Sequence, residues 1–290
     1  MNSICGFSFG KDLIKLNYPV VESVRSVLPI CDQFVFVVGK SEDGTRELVE
    51  SIDPKVRIVD SEWPDVQIDG TVLAIEANKA LAAATDSNCT WGFYIQADEV
   101  IHEQDLNAIQ AACERWVDDD QVKALLFRYL HFVLDFKTTD PWMYHKASRI
   151  MRLDDSCEIV GDACGPGLKD YSGPKKSGYL DKHHLGTAVQ WASARVFHYG
   201  WVKTREQLDD KLKMVESLWW GTLDDKERER RKSNKFGSFL DRYPMLKNFN
   251  GSHPQVMSDR VASHPPYMPS RNRWLCPRFY AEVLRHGFHG

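Results

Sequence analysis

The sequence predicts an α/β fold: a mostly parallel sheet flanked by helices. Three observations predict it. Strand-like and helix-like stretches alternate from residue 3 to residue 117, the order that joins parallel strands through covering helices. The strand candidates are apolar runs without alternation, as expected of a sheet buried on both faces. The chain has 290 residues, 43% hydrophobic and 27% charged, enough to bury a sizeable core and too ordinary a composition for collagen or extended disorder.

The elements follow in order. Residues 3–9, containing ICGFSF, open the first strand. Asn17 and Pro19 start a helix, Val21, Val24 and Leu28 share its face, and Pro29 stops it. FVFVV (34–38) is the second strand, followed by a turn at SEDGT, and Leu48, Val49 and Ile52 mark a short helix. VRIV (56–59) is the third strand, and Leu73, Ala77, Ala80 and Leu81 have the spacing of an amphipathic helix. FYI (93–95) is the fourth, followed by a helix carrying Leu106, Ile109, Cys113 and Trp116. ALLFRYL (124–130), ASRIMRL (147–153) and ARVFHYGW (194–201) read as further strands. A helix over about 206–219 places Leu208, Leu212, Val215 and Trp219 on one side.

Composition excludes several classes. No stretch approaches the roughly 18 apolar residues of a membrane span, and MNSICGFSFGKD does not read as a secretory leader, so a cytoplasmic location is expected, with a peripheral place at a membrane face as the alternative. The seven cysteines are scattered without a Cys-x-x-Cys pair, which points to reduced thiols rather than zinc or a disulfide framework. Gly39-Lys40-Ser41 looks like the end of a phosphate loop, but Phe34 stands where that loop needs a glycine. GFSFGKD lacks the Gly-x-Gly-x-x-Gly of a dinucleotide site.

Charge is uneven. The whole chain carries 37 basic and 41 acidic residues, yet from Lys226 onward there are 13 basic against 5 acidic. Residues 226–290 therefore read as a basic, Pro- and aromatic-rich, irregular C-terminal extension on a body of residues 1–225. The extension is expected to be a solvated wrap that complements the acidic body. The alternative is a docking surface for an acidic partner.

In an open parallel sheet, ligands bind at the carboxyl ends of the strands. The strongest feature there is YIQADEV (94–100), where a buried strand delivers Asp98 and Glu99. Carboxylates so placed can hold a hard divalent cation against a diphosphate. They can equally cap the next helix.

Taken in order, these features resemble the family 2 glycosyltransferases of GT-A fold over roughly residues 1–220. The matching pieces are the turn at Phe7-Ser8, FVFVVGKSEDGT with its Asp-Gly-Thr, Asn78 in ANKAL, WGFYIQADE as a Gln-Ala-Asp-Glu version of the Asp-x-Asp motif, and His198 in FHYGW. The resemblance implies a GT-A domain over 1–225, with a nucleotide-sugar half of about 1–117 and an acceptor half of about 118–225. It implies inverting transfer of a sugar from a nucleotide-sugar donor, UDP-linked by default. The acceptor is the hydroxyl of a surface glycan or lipid-linked sugar, less readily of nucleic acid. The alternatives are a catalytically silent glycan- or nucleic-acid-binding module and a nucleotidyltransferase.

The implied residues are these. Asp98 and His198 hold a divalent cation, Mn2+ or Mg2+. Phe7, Ser8, Gly39, Ser41, Asn78, Gln96 and Asp98 line the nucleotide sugar. Asp162, in the Gly-rich VGDACGPG, takes the acceptor proton, with Glu99 and Asp155 in reserve. Gln96 replaces the first motif carboxylate and is a weaker metal ligand, and no acidic residue ends the second strand to read the base. Tyr129, His131, Trp142, Tyr144, Trp201, Trp219 and Trp220 are candidates for an acceptor platform. Arg149 and Arg152 are expected on one strand face, paired at the surface with Asp154 or Asp155.

Overall fold

The computed structural model describes residues 3–65, 69–170, 178–221, 223–227, 246–264 and 273–287. Its centre is a sheet whose first half is β1 (Ile4–Gly10), β2 (Gln33–Gly39), β3 (Val56–Ser61) and β4 (Trp91–Tyr94), in the spatial order β3-β2-β1-β4 and all parallel. The second half is mixed. β5 (Glu99–Ile101) pairs antiparallel with β11 (Val189–Trp201), β11 lies parallel to β6 (Ala124–Val133), and β8 (Lys146–Arg152) runs antiparallel to both β4 and β6. Two short strands, β7 (Thr138–Thr139) and β12 (Lys247–Asn248), complete the edge, and β9 (Cys157–Val160) with β10 (Gly165–Leu168) forms a separate hairpin.

The helix-flanked sheet is thus as expected, with its first half all parallel and its second half mixed. The reversal accompanies a connection from β6 to β8 that carries the short strand β7 instead of a crossover helix.

Helices cover both faces. α1 (Val20–Val27) and α4 (Leu106–Arg115) pack with Phe34, Phe36, Phe93 and Phe127 on one face. α3 (Thr71–Thr85) packs Ala77, Ala80 and Ala84 against Cys5, Phe7, Val35 and Val37 on the other. The alternate residues of β2 therefore divide between two cores, which is why its sequence reads as an unbroken apolar run. Small alanines let α3 approach the sheet closely. Truncating a fully buried ring such as Phe36 is expected to cost about 3–5 kcal/mol.

Among the described residues no helix is long and apolar enough to cross a membrane, and all seven cysteines are free. Of the basic run 226–232, residues 228–232 lie outside the described residues. Residues 246–264 lie on the body: Leu246 and Met257 are buried, and Arg260 pairs with Glu22 at 2.7 Å while donating to the Tyr18 carbonyl at 3.1 Å.

Candidate active site

A cavity of about 760 Å3 opens at the carboxyl ends of β1 and β4. The turn that forms its floor is built locally. β4 stops at Tyr94, the Glu99 amide closes a turn onto the Gln96 carbonyl at 3.0 Å, and Ser23 of α1 donates to that same carbonyl at 2.8 Å. β5 then starts at Glu99 and pairs with β11 in a register that sets His198 opposite Glu99. The Tyr199 amide donates to the Asp98 carbonyl at 2.8 Å. This pairing brings His198 to Asp98 across a hundred residues of sequence.

The polar heart of the cavity is Asp98. His198 Nε2 stands 3.5 Å and Lys211 Nζ 3.7 Å from its Oδ2. Burial alone would raise the Asp98 carboxyl, but His198, Lys211 and Lys203 outweigh it and hold the group below the ordinary carboxylate range. His198 is shifted down by its burial, with Asp98 opposing. His131 lies well below the usual imidazole range, through burial and then the neighbouring His198.

The hydrogen-bond chain assigns the protons. His131 Nε2 faces the Tyr144 carbonyl at 2.6 Å and so must donate. In neutral His131 the Nδ1 is then an acceptor, and it takes the proton of His198 Nδ1 at 3.2 Å. That leaves a lone pair on His198 Nε2, aimed toward the carboxylate of Asp98. Two acceptors turned toward each other are a poor hydrogen bond and a good pair of metal ligands, with His131 fixing the tautomer from behind. The donor set, one carboxylate oxygen and one imidazole nitrogen, fits Mn2+, and with remaining positions left to diphosphate and water it also fits Mg2+. Among the described residues no group of three or more His, Cys, Asp or Glu side chains is arranged to hold a metal ion.

Gly200 makes room for this arrangement. A Cβ there would fall on Asp98 Oδ2 and 2.9 Å from Lys211 Nζ. Gly200→Ala is therefore expected to displace Asp98 and to lower metal affinity at least about tenfold, read by Mn2+ titration with the secondary structure intact by circular dichroism.

The helix α5 (Arg205–Trp220) forms one wall. It starts at a capping box between Thr204 and Gln207 and turns Lys211, Met214, Val215, Leu218 and Trp219 toward the cavity at helical spacing. Lys211 donates to the Gly200 carbonyl at 2.8 Å and lies 4.4 Å from the Trp201 ring centre. Gly70, at φ +68°, closes the far end, where a Cβ would meet the Trp219 ring at 2.7 Å and Asp162 Cβ at 2.9 Å. Asp162 is exposed and lines the cavity from the β9–β10 loop. The loop is pinned from below, since Tyr94 and Gln96 Nε2 both donate to the Ala163 carbonyl, at 3.0 and 2.9 Å.

The structure thus brings Gln96, Asp98, Asp162 and His198 into one cavity, where Tyr144, Trp201 and Trp219 also stand. It places Phe7, Ser8, Gly39, Ser41 and Asn78 off the cavity wall. β1 runs on to Gly10, so Phe7 stacks on Tyr94 in the core at 5.3 Å between ring centres. Ser8 is fully buried. Gly39 gives space to Trp63 and Lys11. Ser41 accepts from the Asp12 amide at 3.0 Å. Asn78 pairs with the backbone of Ile159 like a strand neighbour, at 2.8 Å in each direction. The residues that line the cavity from β1 and its loop are Phe9, Gly10, Lys11 and Asp12, and Trp63 faces them. A strand longer than its apolar run had hidden the first four, while Trp63 carried no pattern. The i, i+3, i+4, i+7 spacing of Lys211 to Leu218 was visible in the sequence.

Glu99 is engaged elsewhere. It takes a two-pronged ion pair from Arg149, 2.7 Å at Nε and 2.8 Å at Nη2, and a 2.8 Å hydrogen bond from the Tyr129 hydroxyl. Asp155 pairs with Lys169 at 3.5 Å. Arg149 and Arg152 correct the expectation of a shared, exposed face. Three positions apart on a strand, they point to opposite sides and both are buried. Arg149 lies between the Tyr94 and Tyr129 rings at 5.2 and 5.3 Å. Arg152 donates to the carbonyls of Trp116, Val122 and Asp119 at 2.6–2.8 Å.

A pH dependence follows from the two histidines. Both pKa values are lowered on folding, so the unfolded chain binds protons that the folded chain does not. Stability is then full above the unfolded value of about 6.5 and falls as pH drops below it. The urea midpoint is expected to decline from pH 7 to pH 5, and less steeply in His131→Gln.

No family model matches this sequence, and no curated protein matches it. Solved structures are similar to it at low identity. Glucosyl-3-phosphoglycerate synthase from Mycobacterium tuberculosis, in complex with Mn2+, UDP and phosphoglyceric acid, is 14% identical over 45% of this chain and 43% of its own, with a TM-score of 0.31. S. aureus TarS is 12% identical over 83% of this chain and 43% of its own, at 0.40. The 1–349 portion of TarS is also 12% identical, over 83% of this chain and 77% of its own, at 0.40. The chain spans less than half the length of the first structures it matches.

Proposed function

We propose that this protein is a metal-dependent glycosyltransferase that moves a sugar from a nucleotide-sugar donor, UDP-linked by default, to an acceptor hydroxyl with inversion. The observation that supports this best is the convergence of the ionised Asp98 carboxylate and the unprotonated His198 Nε2, 3.5 Å apart, in a cavity large enough for a nucleotide diphosphate.

In this reading Asp98 and His198 hold the divalent cation, which when bound neutralises the diphosphate leaving group. The residues of the chain do the rest. Lys211 and Lys11 offer positive charge to the phosphates. Phe9 and Trp63 offer faces on which a base can stack. Trp201 and Trp219 shield the reacting centre from water and supply sugar-stacking surfaces. Asp162 Oδ accepts the proton of the attacking hydroxyl, and its exposure at the cavity rim suits a group that must meet an incoming acceptor. Gln96, its Nε2 tied to the Ala163 carbonyl, presents only its carbonyl oxygen.

The test is nucleotide release from UDP-, GDP-, CMP- and dTDP-sugars with Mn2+, Mg2+ or chelator. Release from one donor that chelator abolishes is the expected result. Silence across the panel, with no thermal shift by any nucleotide, sinks the proposal in favour of a binding module.

A further inference from the structure

A second cavity, of about 490 Å3, is lined by Arg128 of β6, by Trp191 and Arg195 of β11 and by Phe249 and Ser252. An unusual row of cations runs along it. Arg195 of β11 stands in register with Arg128 of β6, and Arg128 with Lys146 of β8. All three side chains are exposed, and among the described residues none is in an ion pair. The nearby carboxylate of Asp105 is used by the Arg195 backbone amide at 2.8 Å. Like charges side by side on neighbouring strands destabilise a sheet. A row of three cations with no ion pair among the described residues and one nearby carboxylate is a cost to folding that an anionic ligand would reduce.

An aromatic face is supplied at the same place. Arg128 and Lys146 set their charges 5.2 and 5.1 Å from the ring centre of the half-buried Trp191. The register of β11 shifts between Trp191 and Arg195, with Ser193 at φ +56°, so β11 carries two extra residues there and exposes Ser193. Phe249 and Ser252, from the C-terminal extension, close the opposite wall. Lys146 lines the larger cavity, while its register neighbour Arg128 lines the second, so the row runs from one cavity to the other.

We infer that the Arg195–Arg128–Lys146 row and the Trp191 ring form a subsite for an anionic saccharide, a sugar chain bearing carboxylate or phosphate groups, which is the acceptor of the proposed transferase. This rests on the transferase reading for the word acceptor but not for the binding site. A sugar ring stacks on Trp191 while its charged groups meet the cations. Nucleic acid suits the place less well, because the row is short and the surrounding body, residues 1–225, is acidic, with 24 basic against 36 acidic residues.

The experiment is calorimetric titration of the full chain with tetragalacturonate, maltotetraose and a single-stranded oligothymidylate at low and physiological salt. Wild type is expected to bind tetragalacturonate, weakening with salt, and maltotetraose at least about tenfold less well. Arg128→Thr with Arg195→Thr is expected to lose about tenfold or more of the tetragalacturonate affinity. Its thermal midpoint should be equal or higher, because like charges have been separated, and its UDP binding should be unchanged. Equal binding of the charged and neutral sugars, undiminished binding by the double variant, or tighter binding of the oligothymidylate overturns the inference. Donor silence with tetragalacturonate bound as expected overturns the transferase reading alone and leaves the subsite standing.

Discussion

Asp98→Asn is expected to lower metal-dependent donor release by at least about a hundredfold, a barrier increase of about 3 kcal/mol. The side chain keeps its volume, so the turn from Gln96 to Glu99 should survive, and circular dichroism should report an intact fold. What is lost is charge. Asn presents a neutral amide to His198 Nε2 and to Lys211, where the carboxylate faced them at 3.5 and 3.7 Å. A variant that hydrolyses the donor at the wild-type rate with Mn2+ would remove Asp98 from the metal site. The companion measurement is Asp162→Asn, which should reduce acceptor transfer while leaving Mn2+ affinity unchanged. Transfer at the wild-type rate would exclude Asp162 as the proton acceptor.

Arg149→Met is expected to cost about 3–5 kcal/mol of stability. It strands the Glu99 carboxylate, which is wholly buried, without its ion pair. It also frees the Cys164 carbonyl, to which Arg149 donates at 2.7 Å, and removes the cation from between two tyrosine rings. Glu99 would keep only the Tyr129 hydroxyl and the Gln96 amide, 2.8 and 3.2 Å away. Removing both charges together, in Arg149→Met with Glu99→Leu, should recover much of the loss, because the cost lies in the unpaired charge rather than in the missing pair. Urea midpoints of the single and double variants decide this. A double variant no more stable than Arg149→Met would mean that the Cys164 loop contact, not the stranded carboxylate, dominates.

The larger part of the fold was legible. Each of the first four strands and the helices between them lies within a few residues of its sequence pattern. Phe34, Phe36, Val35 and Val37 show why: a strand buried on both faces needs apolar residues throughout, and the shortness of the run and its β-branched and aromatic residues mark it as strand. The hairpin of β9 and β10 was not read as strand, because each is only four residues long and GPGL carries a proline and two glycines. Part of the candidate site was also legible, since acids at the end of a buried strand stand out. The contrast between neighbours Asp98 and Glu99 was not. One faces the cavity with two cations and a histidine, the other is sealed against Arg149, and only the turn between them separates the two environments.

The sequence by itself therefore determined the α/β class, the order of the first strands, and the presence of carboxylates where a sheet opens to ligand. Local periodicity and strand-end position suffice for these, because they depend on neighbours within a turn or two of chain. Only the tertiary structure decided that His198 meets Asp98, that His131 sets the tautomer of His198, that Glu99 and Arg149 hold each other in the core, and that Arg195, Arg128 and Lys146 line up across three strands. Those relations are set by inter-strand register, and register is fixed by packing between segments tens of residues apart, which no local pattern encodes.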